Sequence, residues 1–376
     1  MSYATSAIVD LDAIAANLAA VRDRAGGRRV LAAVKANAYG HGAVEVSRMI
    51  EARGAADALG VATVPEGAEL RAAGVGLPIL KLSHCFPGEL PHAIAADLTL
   101  TVVDAASIDG AERAAAEAGR SVDVHLKLDS GMRRIGCELT AAAGLARRIA
   151  DSPHLRLQGV FTHLPVSDAP GGDDYTRRQL RRFSDAVAQV QAEVGPVELV
   201  HAANSGAILG HDLGEATMVR PGIMIYGYYP DAAHTPRTVP LRPALSLVTR
   251  VSYVKDVPAG ESVGYGHTWR AGHDTRVATI PVGYADGYSR LLSNRGQVLI
   301  GGQPRPIRGR VCMDQLMVEV DASVSAGDEV VLIGTQGEHT ITADDLAQLM
   351  GTISYEVTCL IAPRVVRNYR PALSAP

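Results

Sequence analysis

Short apolar segments alternate with longer helix-like segments from Arg29 to Val219, and this alternation constrains the fold most strongly. The longer segments include residues 104–119, which are rich in Ala and Glu and close with Gly119, and Tyr175–Val194, whose apolar residues recur at helical spacing. The predicted strands are Arg29–Val34, Ala58–Ala62, Pro78–Leu82, Leu98–Val103, Val122–Leu128, Leu157–Thr162, Val197–His201 and Thr217–Val219. Strands interleaved with helices in this way predict an eight-stranded parallel α/β (TIM-like) barrel, with a doubly wound open sheet as the alternative.

The pattern changes after residue 231. Residues 231–243 are rich in proline and are typical of a linker. Beyond them, one predicted helix, Thr342–Met350, interrupts β-type segments that end in Gly or Pro turns. These segments are Leu245–Val254, Arg276–Val282, Gly296–Ile300, Leu316–Val320 and Glu329–Ile333. We therefore predict a barrel domain over residues 1–233 and a mostly β C-terminal domain over residues 234–376.

Composition excludes several classes of function. Charged residues make up 20% of the 376 residues and hydrophobic residues 47%, which is typical of a globular protein. The formal net charge of −4 gives no general attraction to nucleic acid or to anionic membranes. Asp10 and Asp12 stand where a signal peptide needs an apolar segment, and no apolar run approaches the ~20 residues of a membrane span. The four cysteines form no CxxC pair. We predict a cytoplasmic protein without nucleic-acid, membrane or metal binding.

Polar side chains follow most of the predicted barrel strands at the point where each strand ends. They are Lys35, His84, Asp129 with Arg134, His163, Asn204 with Ser205, and Arg220. In a parallel barrel these strand ends meet on one face, where barrel enzymes build their active sites. The sequence therefore predicts a functional site at that face.

Lys35 is the most informative of these residues. A lysine at the end of a buried strand either reaches back to water or has a catalytic role. The Asn204–Gly206 and Arg220–Gly222 segments follow the seventh and eighth strands, where barrels often bind phosphate, although ordinary turn chemistry explains either segment alone. Together with Lys35 they suggest a phosphate-bearing aldehyde cofactor, which needs a lysine and a phosphate cradle.

Other motifs stay open at this level. Taken by itself, His163 is better explained as a structural histidine, and Lys127 is also compatible with a lysine that pairs with Asp129. In the second domain, spacing alone explains none of three motifs, which are Gly264-Tyr-Gly-His267, Gly283-Tyr-Ala-Asp-Gly287 and Val311-Cys-Met-Asp-Gln315.

Taken together, the motifs closely resemble those of the alanine racemase family, pyridoxal-phosphate enzymes of fold type III. The resemblance extends over almost the whole chain. It rests on Val34–Gly42, Lys127–Arg134, Phe161–His163, Ala203–Ser205, Arg220–Met224 with Tyr226-Gly227, Gly264–Gly266, Gly283–Gly287, Val311–Asp314 and Ile353–Glu356. One departure follows His163. The sequence there is Leu164-Pro165, whereas the family usually has an aromatic residue followed by small residues.

The resemblance implies a catalytic role for four residues. Lys35 binds pyridoxal 5'-phosphate covalently and serves as one base. Tyr265 of the partner subunit is the base on the opposite face of the substrate. Arg220 hydrogen-bonds the pyridine nitrogen, and His163 links Arg220 to Tyr265 of the partner subunit.

The resemblance also implies the binding residues. Beyond Lys35, His163 and Arg220, those expected to bind the cofactor and its phosphate are Tyr39, Asn204, Ser205, Gly222, Ile223 and Tyr355. Arg134 and the partner's Met313 receive the substrate carboxylate, and Lys127, often carbamylated in the family, orients Arg134. Tyr284 and Tyr355 line the entrance.

We therefore predict a racemase that interconverts L- and D-alanine in a homodimer with shared active sites and supplies D-alanine for peptidoglycan. One alternative is a racemase that also accepts serine or other amino acids. Another is a decarboxylase of the same fold, although Arg220 stands where relatives of that type place a carboxylate. A non-catalytic pyridoxal-phosphate carrier and a lysine-based aldolase are the remaining alternatives.

Overall fold

The structure, a computed structural model, describes residues 5–231 and 233–371 and divides into two compact units. The barrel unit comprises residues 13–38 and 43–242. The β unit comprises residues 5–12, 39–42 and 243–371. The predicted domain boundary lies at residue 233, whereas the chain enters the β unit for the last time at residue 243.

Strands and helices alternate through the barrel unit, whereas strands predominate in the β unit. The strands are β1 (Ser6–Asp10), β2 (Arg29–Ala33), β3 (Ala58–Val61), β4 (Ile79–His84), β5 (Thr99–Val102), β6 (Val122–Lys127), β7 (Leu155–Phe161), β8 (Leu199–His201), β9 (Met218–Val219), β10 (Leu245–Arg250), β11 (Tyr253–Val257), β12 (Thr275–Ile280), β13 (Gln297–Ile300), β14 (Gln303–Pro306), β15 (Leu316–Val320), β16 (Glu329–Gln336), β17 (His339–Ile341) and β18 (Val366–Arg370). The helices are α1 (Leu11–Ala25), α2 (Ala43–Ala52), α3 (Val64–Ala72), α4 (Leu90–Ala95), α5 (Ala105–Glu117), α6 (Ala142–Ala150), α7 (Asp173–Val194), α8 (Ser205–Gly210), α9 (Ala343–Met350) and α10 (Ser354–Cys359).

The barrel unit is built on β2 to β9, which pair in parallel in the order β8-β7-β6-β5-β4-β3-β2-β9. Backbone hydrogen bonds also join the two ends of this sheet. The Thr217 N–H donates to Val200 O at 2.9 Å, and the Arg220 N–H donates to Ala203 O at 2.8 Å. These bonds bring β9 against β8 and close the ring. The predicted parallel barrel is confirmed, and the open-sheet alternative is wrong.

Local sequence explains where the outer helices begin. Asp104 precedes α5 and its carboxylate accepts from the Ser107 N–H at 2.7 Å, while the Ser107 hydroxyl oxygen accepts from the Asp104 N–H at 3.0 Å. The helix predicted from Tyr175 begins slightly earlier, at Asp173, whose carboxylate favours a helix N-terminus. None of the helices in the described ranges combines the length and apolar character that crossing a bilayer requires.

The β unit contains two sheets. The larger runs in the order β14-β13-β16-β10-β1-β18, with β17 paired to β16, and the smaller is β11-β12-β15. The predicted strand Leu245–Val254 is in fact two strands in different sheets, because the chain leaves one sheet after Arg250 and enters the other at Tyr253. The first strand of the chain, β1, pairs antiparallel with β10 and parallel with β18.

Residues 39–42 belong to the β unit because two glycines let the backbone approach it closely. Gly40 has a φ of +86°, and a Cβ there would collide with the carbonyl of Thr358. Gly42 has a φ of +95°, and a Cβ there would collide with the Tyr369 hydroxyl. Both positions therefore require glycine for the turn and for space.

Candidate active site

The barrel unit collects positive side chains at the carboxyl ends of its strands. Lys127 is the last residue of β6, Arg220 directly follows β9, and Lys35 stands two residues after β2. Arg134 lies on the loop after β6, which returns to the strand because the Asp129 N–H donates to Cys137 O at 2.9 Å. Arg220, Arg134 and Lys35 all lie close enough to Lys127 for their charges to affect its pKa.

Lys127 shows the strength of this positive field. Its ammonium donates to Leu82 O at 3.2 Å and lies 4.9 Å from the centre of the Phe161 ring. Burial, followed by the charges of Arg220, Arg134 and Lys35, lowers the pKa of Lys127 to about 7, against the opposing effect of Asp129. A site with this excess of cations favours an anionic ligand.

Arg220 is held inside the barrel by acceptors that carry no charge. Its Nη1 donates to His201 Nδ1 at 2.8 Å, and its Nη2 donates to Thr162 O at 2.7 Å. In the described part of the chain no carboxylate forms an ion pair with Arg220. Burial lowers the pKa of Arg220 to about 9, so the guanidinium is still a cation at neutral pH.

His163 contacts Arg220 as a neutral ring. Its Nδ1 lies 3.3 Å from Arg220 Nη2, and since a guanidinium can only donate, Nδ1 is the acceptor. Burial, followed by the charges of Arg220 and Arg134, holds the pKa of His163 well below its usual range. The single ring proton therefore lies on Nε2, where it is available to an acceptor.

The segment after Lys35 is a left-handed helical turn. Ala36, Asn37, Ala38 and Tyr39 have φ angles between 52° and 54°, a conformation that costs roughly 1–2 kcal/mol for each L-residue. Two side chains hold the turn. Glu66 Oε1 accepts from the Ala36 N–H at 2.7 Å, and Asn37 Oδ1 accepts from the Ala43 N–H at 2.8 Å. Strained backbone of this kind concentrates at functional sites.

The loops after β8 and β9 meet through Ser205. Its hydroxyl oxygen accepts from the Gly222 N–H at 2.9 Å, and Ile223 follows in a buried turn. Asn204 positions this loop, because its Oδ1 accepts from the Ala207 N–H at 3.0 Å and its Nδ2 donates to Leu164 O at 3.0 Å. The second bond also ties down the loop that contains Pro165.

The β unit holds the remaining predicted site residues. The Tyr39 and Tyr355 rings lie 5.9 Å apart, centre to centre, and burial, followed by the charge of Cys359, raises the pKa of Tyr39. Three other side chains are exposed to solvent in the single chain, namely Tyr265 (73%), Met313 (53%) and Tyr284 (44%). Large exposed apolar side chains of this kind mark interaction surfaces when they cluster.

Two motifs that spacing did not explain pack side by side in the β unit. The Tyr284 N–H donates to Cys312 O and the Ala285 N–H to Met313 O, each at 3.0 Å. A Cβ at Gly283 would collide with those same carbonyls, so glycine is required there. The buried Asp286 accepts from Arg364 at 2.7 Å, and Arg364 also bonds Asp314 at 2.8 Å. Arg364 thus joins both motifs.

Comparisons with known proteins identify the family. The family descriptions "Alanine racemase, N-terminal domain" and "Alanine racemase, C-terminal domain" match residues 9–230 and 244–369. An alanine racemase of Cutibacterium acnes is 55% identical over 371 residues, covering 96% of this chain and 97% of that protein. The chain belongs to the alanine racemase family. This is an isomerase family.

Other relatives of the family agree with this assignment. An alanine racemase of Symbiobacterium thermophilum is 45% identical, covering 97% of each chain. The crystal structure of alanine racemase from D-cycloserine-producing Streptomyces lavendulae has a TM-score of 0.91 and 39% identity, covering 99% of this chain and 98% of that one. The Bacillus anthracis alanine racemase with bound L-Ala-P has a TM-score of 0.91 and 35% identity, covering 98% and 95%.

Sequence reasoning missed several residues that shape the site, namely Glu66, His125, His201 and Arg364. A signal existed for two of them. His125 lies two residues before Lys127, hence on the same face of β6, and His201 ends β8 as other polar residues end their strands. Glu66 carries only the local signal of a capping box with Thr63, and nothing local points to its contact with Ala36. Arg364 carries no local signal, because its partners are distant in the sequence.

Proposed function

We propose that this member of the family is a pyridoxal-phosphate-dependent racemase that interconverts L- and D-alanine. The observation that carries the proposal is Arg220, a buried cation without a carboxylate partner in the described chain, at the mouth of the barrel. The bonds to His201, Thr162 and His163 leave its Nε–H without a protein acceptor among the described residues.

The residues present fit pyridoxal 5'-phosphate. Ser205 accepts from Gly222 and so still has its own hydroxyl proton to donate to a phosphate. The cations around Lys127 offset the charge of a phosphate and a substrate carboxylate. We assign the covalent attachment to Lys35, and the phosphate to Tyr39, Ser205, Gly222, Ile223 and Tyr355. Asn204 supports them by holding Ser205 in place. When bound, the cofactor withdraws electrons from the substrate and makes its Cα proton acidic.

Two bases carry out the proton transfer. Racemisation removes a proton from one face of Cα and returns one to the other, and one fixed base cannot reach both faces. We assign these faces to Lys35 and to Tyr265 of the partner subunit. Arg134 and the partner's Met313 receive the substrate carboxylate, while Tyr284 and Tyr355 border the entrance.

Arg220 and His163 adjust the chemistry around these bases. Since Arg220 can only donate hydrogen bonds and keeps its proton at neutral pH, it would hold the pyridine nitrogen of the cofactor by donation and would not protonate it. This argues against the decarboxylase. As the proposed base, Tyr265 of the partner subunit would accept a hydrogen bond from the Nε2–H of His163, which in turn accepts from Arg220.

Lys127 is the proposed site of carbamylation. A pKa of about 7 leaves a large fraction of this amine neutral, which is the form that adds CO₂. Addition of CO₂ to the neutral amine releases one proton to solvent and turns Lys127 into an anion, which would pair with Arg134 and offset the charges of Arg220 and Lys35.

The exposure of Tyr265 and Met313 supports a homodimer with shared active sites. Side chains that serve the site of a second copy are exposed in a single chain. We place the enzyme in the cytoplasm, where its D-alanine would supply peptidoglycan synthesis.

The test is chiral analysis of products from purified protein incubated with pyridoxal phosphate and L-alanine. D-alanine should form until the enantiomers are equal, and Lys35→Ala should form almost none. L-serine and larger amino acids in the same assay define the substrate range. Release of CO₂ without D-alanine would favour the decarboxylase, and a protein that stays colourless with the cofactor would favour the aldolase.

A further inference from the structure

A chain of hydrogen bonds runs from Arg220 into the interior of the barrel. Arg220 Nη1 lies 2.8 Å from His201 Nδ1, and His201 Nε2 lies 2.9 Å from His125 Nδ1. His125 Nε2 in turn lies 3.1 Å from Gln158 Oε1. Both histidine rings are buried.

The chemistry of Arg220 determines where the ring protons lie. A guanidinium only donates, so His201 Nδ1 must accept and its proton lies on Nε2. His201 Nε2–H then donates to His125 Nδ1, which places the proton of His125 on Nε2 as well. That proton is donated to the Gln158 carbonyl oxygen. Every member of the chain thus donates in one direction, away from Arg220.

The surrounding packing reserves space for this arrangement. Phe161 stacks on His201 with ring centres 4.8 Å apart and an interplanar angle of 2°. A Cβ at Gly159 would lie 2.7 Å from the His125 ring, so the absence of a side chain there makes room for the imidazole.

The series of hydrogen bonds that begins at Arg220 ends at Gln158, toward the amino ends of the barrel strands. Gln158 lines a pocket of about 240 Å³ together with Pro78, Thr99 and Val122, which stand at the amino ends of β4, β5 and β6. The hydrogen bonds therefore cross the barrel from its carboxyl face toward its amino face.

Both rings are neutral in this environment. Burial lowers the pKa of His125 to about 4 despite the hydrogen bond to Gln158, and burial followed by the charge of Arg220 holds the pKa of His201 well below its usual range. The charged groups acting on the two rings are Asp123, Arg156, Arg220 and Lys127. A proton added to either ring would place two donors face to face.

We propose that His125 and Gln158 are positioning residues that keep the His201 proton on Nε2, so that an uncharged acceptor holds Arg220. A carboxylate in the place of His201 would offset the guanidinium charge. The neutral His201 orients Arg220 instead and leaves the positive charge of Arg220 to act on the site. The effect on catalysis rests on the proposed function, whereas the positions of the ring protons rest only on the hydrogen bonds within the barrel unit.

The test uses ¹⁵N NMR of histidine-labelled holoenzyme, in which the ring-nitrogen shifts report protonation. The rings of His125 and His201 should stay neutral with the proton on Nε2 at both pH 6 and pH 8.5, as should that of His163, and the first two signals should disappear in His125→Phe and His201→Phe respectively. The half-buried pair His154–Glu112 supplies the control, because His154→Gln should leave both signals unchanged. A positively charged ring, or a proton on Nδ1 of either ring, would overturn the proposal.

A pair of substitutions at Gln158 separates proton order from simple packing. Gln158→Glu keeps the acceptor but adds a charge that favours protonated His125, which reverses the His201 proton and removes an acceptor from Arg220. We expect the His201 signal to change and kcat to fall about tenfold, with less effect on KM. Gln158→Met leaves the His125 Nε2–H without its acceptor but adds no charge, so the His201 signal should shift less than in Gln158→Glu and kcat should fall less. The opposite order of the two variants would contradict the proposal. If both ring protons lie on Nε2 but the enzyme does not racemise alanine, the proposed function is wrong and the proposal about the two histidines stands.

Discussion

Single residues at the barrel mouth carry a positive charge that the described chain does not neutralise. Arg220 is bonded to a neutral histidine and to carbonyl oxygens, and Lys127 is bonded to a carbonyl oxygen. Buried cations without anionic partners are costly, and they persist where a ligand supplies the anion. At this scale Lys127 and Tyr265 each lead to a measurable consequence.

The consequence for Lys127 is a pH dependence of stability. Its pKa is about 7 in the folded protein, against about 10.4 when unfolded, so the folded state binds fewer protons between these values. The free energy of unfolding should therefore rise with pH in this window. Between pH 7 and pH 9, without CO₂, the rise should exceed that of Lys127→Met by about 2 kcal/mol. Urea denaturation measures both proteins.

Bicarbonate provides the companion measurement. It should add the mass of one CO₂ to the native protein and abolish the difference in pH dependence between wild type and Lys127→Met. Identical pH profiles without CO₂ would show that Lys127 keeps an ordinary pKa.

The consequence for Tyr265 concerns the two bases. In Tyr265→Ala, only the face of Cα next to Lys35 can exchange its proton. Deuterium from solvent should then enter D-alanine with retained configuration far faster than it enters L-alanine, as measured by NMR and chiral chromatography. Equal exchange from both enantiomers would favour one mobile base.

At the level of elements, the left-handed turn after β2 is the least expected feature of the barrel unit. Four successive non-glycine residues adopt it, and the carboxylate of Glu66 on α3 accepts from the Ala36 N–H. The same carboxylate accepts from the Ala62 N–H and the Thr63 N–H. One side chain thus joins the start of α3 to the turn that follows Lys35.

We expect Glu66→Ala to weaken cofactor binding about fivefold, because it removes a hydrogen bond to an ionised acceptor from a strained turn. Titration of apoprotein with pyridoxal phosphate measures the affinity. Thr63→Ala is the matched control, since it removes the cap of α3 but leaves the contact between Glu66 and Ala36. It should lower stability without changing affinity. Equal losses of affinity in both variants would assign the effect to α3 alone.

For the whole molecule, the important fact is that the proposed bases belong to different units. Lys35 lies in the barrel unit and Tyr265 in the β unit. From the resemblance to the family we propose that Tyr265 serves the site of a partner subunit, and its exposure in the single chain is consistent with that proposal.

Mixed dimers test this arrangement. Neither Lys35→Ala nor Tyr265→Ala should racemise alanine at a significant rate by itself. After subunit exchange, a hybrid dimer has one site with both native bases, so activity should return to about a quarter of the wild-type value for equal mixing, with half the dimers hybrid and one intact site in each. Absence of recovery despite exchange, shown by native mass spectrometry, would indicate a site built within one chain.

The sequence alone determined the alternation of parallel strands with helices and the location of polar residues at the strand ends, whereas the closure into a barrel came from the structure. Both are local properties. The apolar pattern of each segment indicates a strand or a helix, and a polar residue follows most of the strands directly in the sequence. Lys35, Arg134 and Arg220 could be placed on one face because parallel strands bring their carboxyl ends together. The motifs of the β unit could be named only through the resemblance.

Tertiary structure alone decided which distant residues meet. β1 joins β10 and β18, Glu66 holds the turn at Ala36, and His125 accepts from His201. No periodicity encodes such pairs, since each depends on strand register and on the space left by residues such as Gly159. The pKa of Lys127 has the same origin, because it depends on the burial and charges created when separate strands close into a barrel.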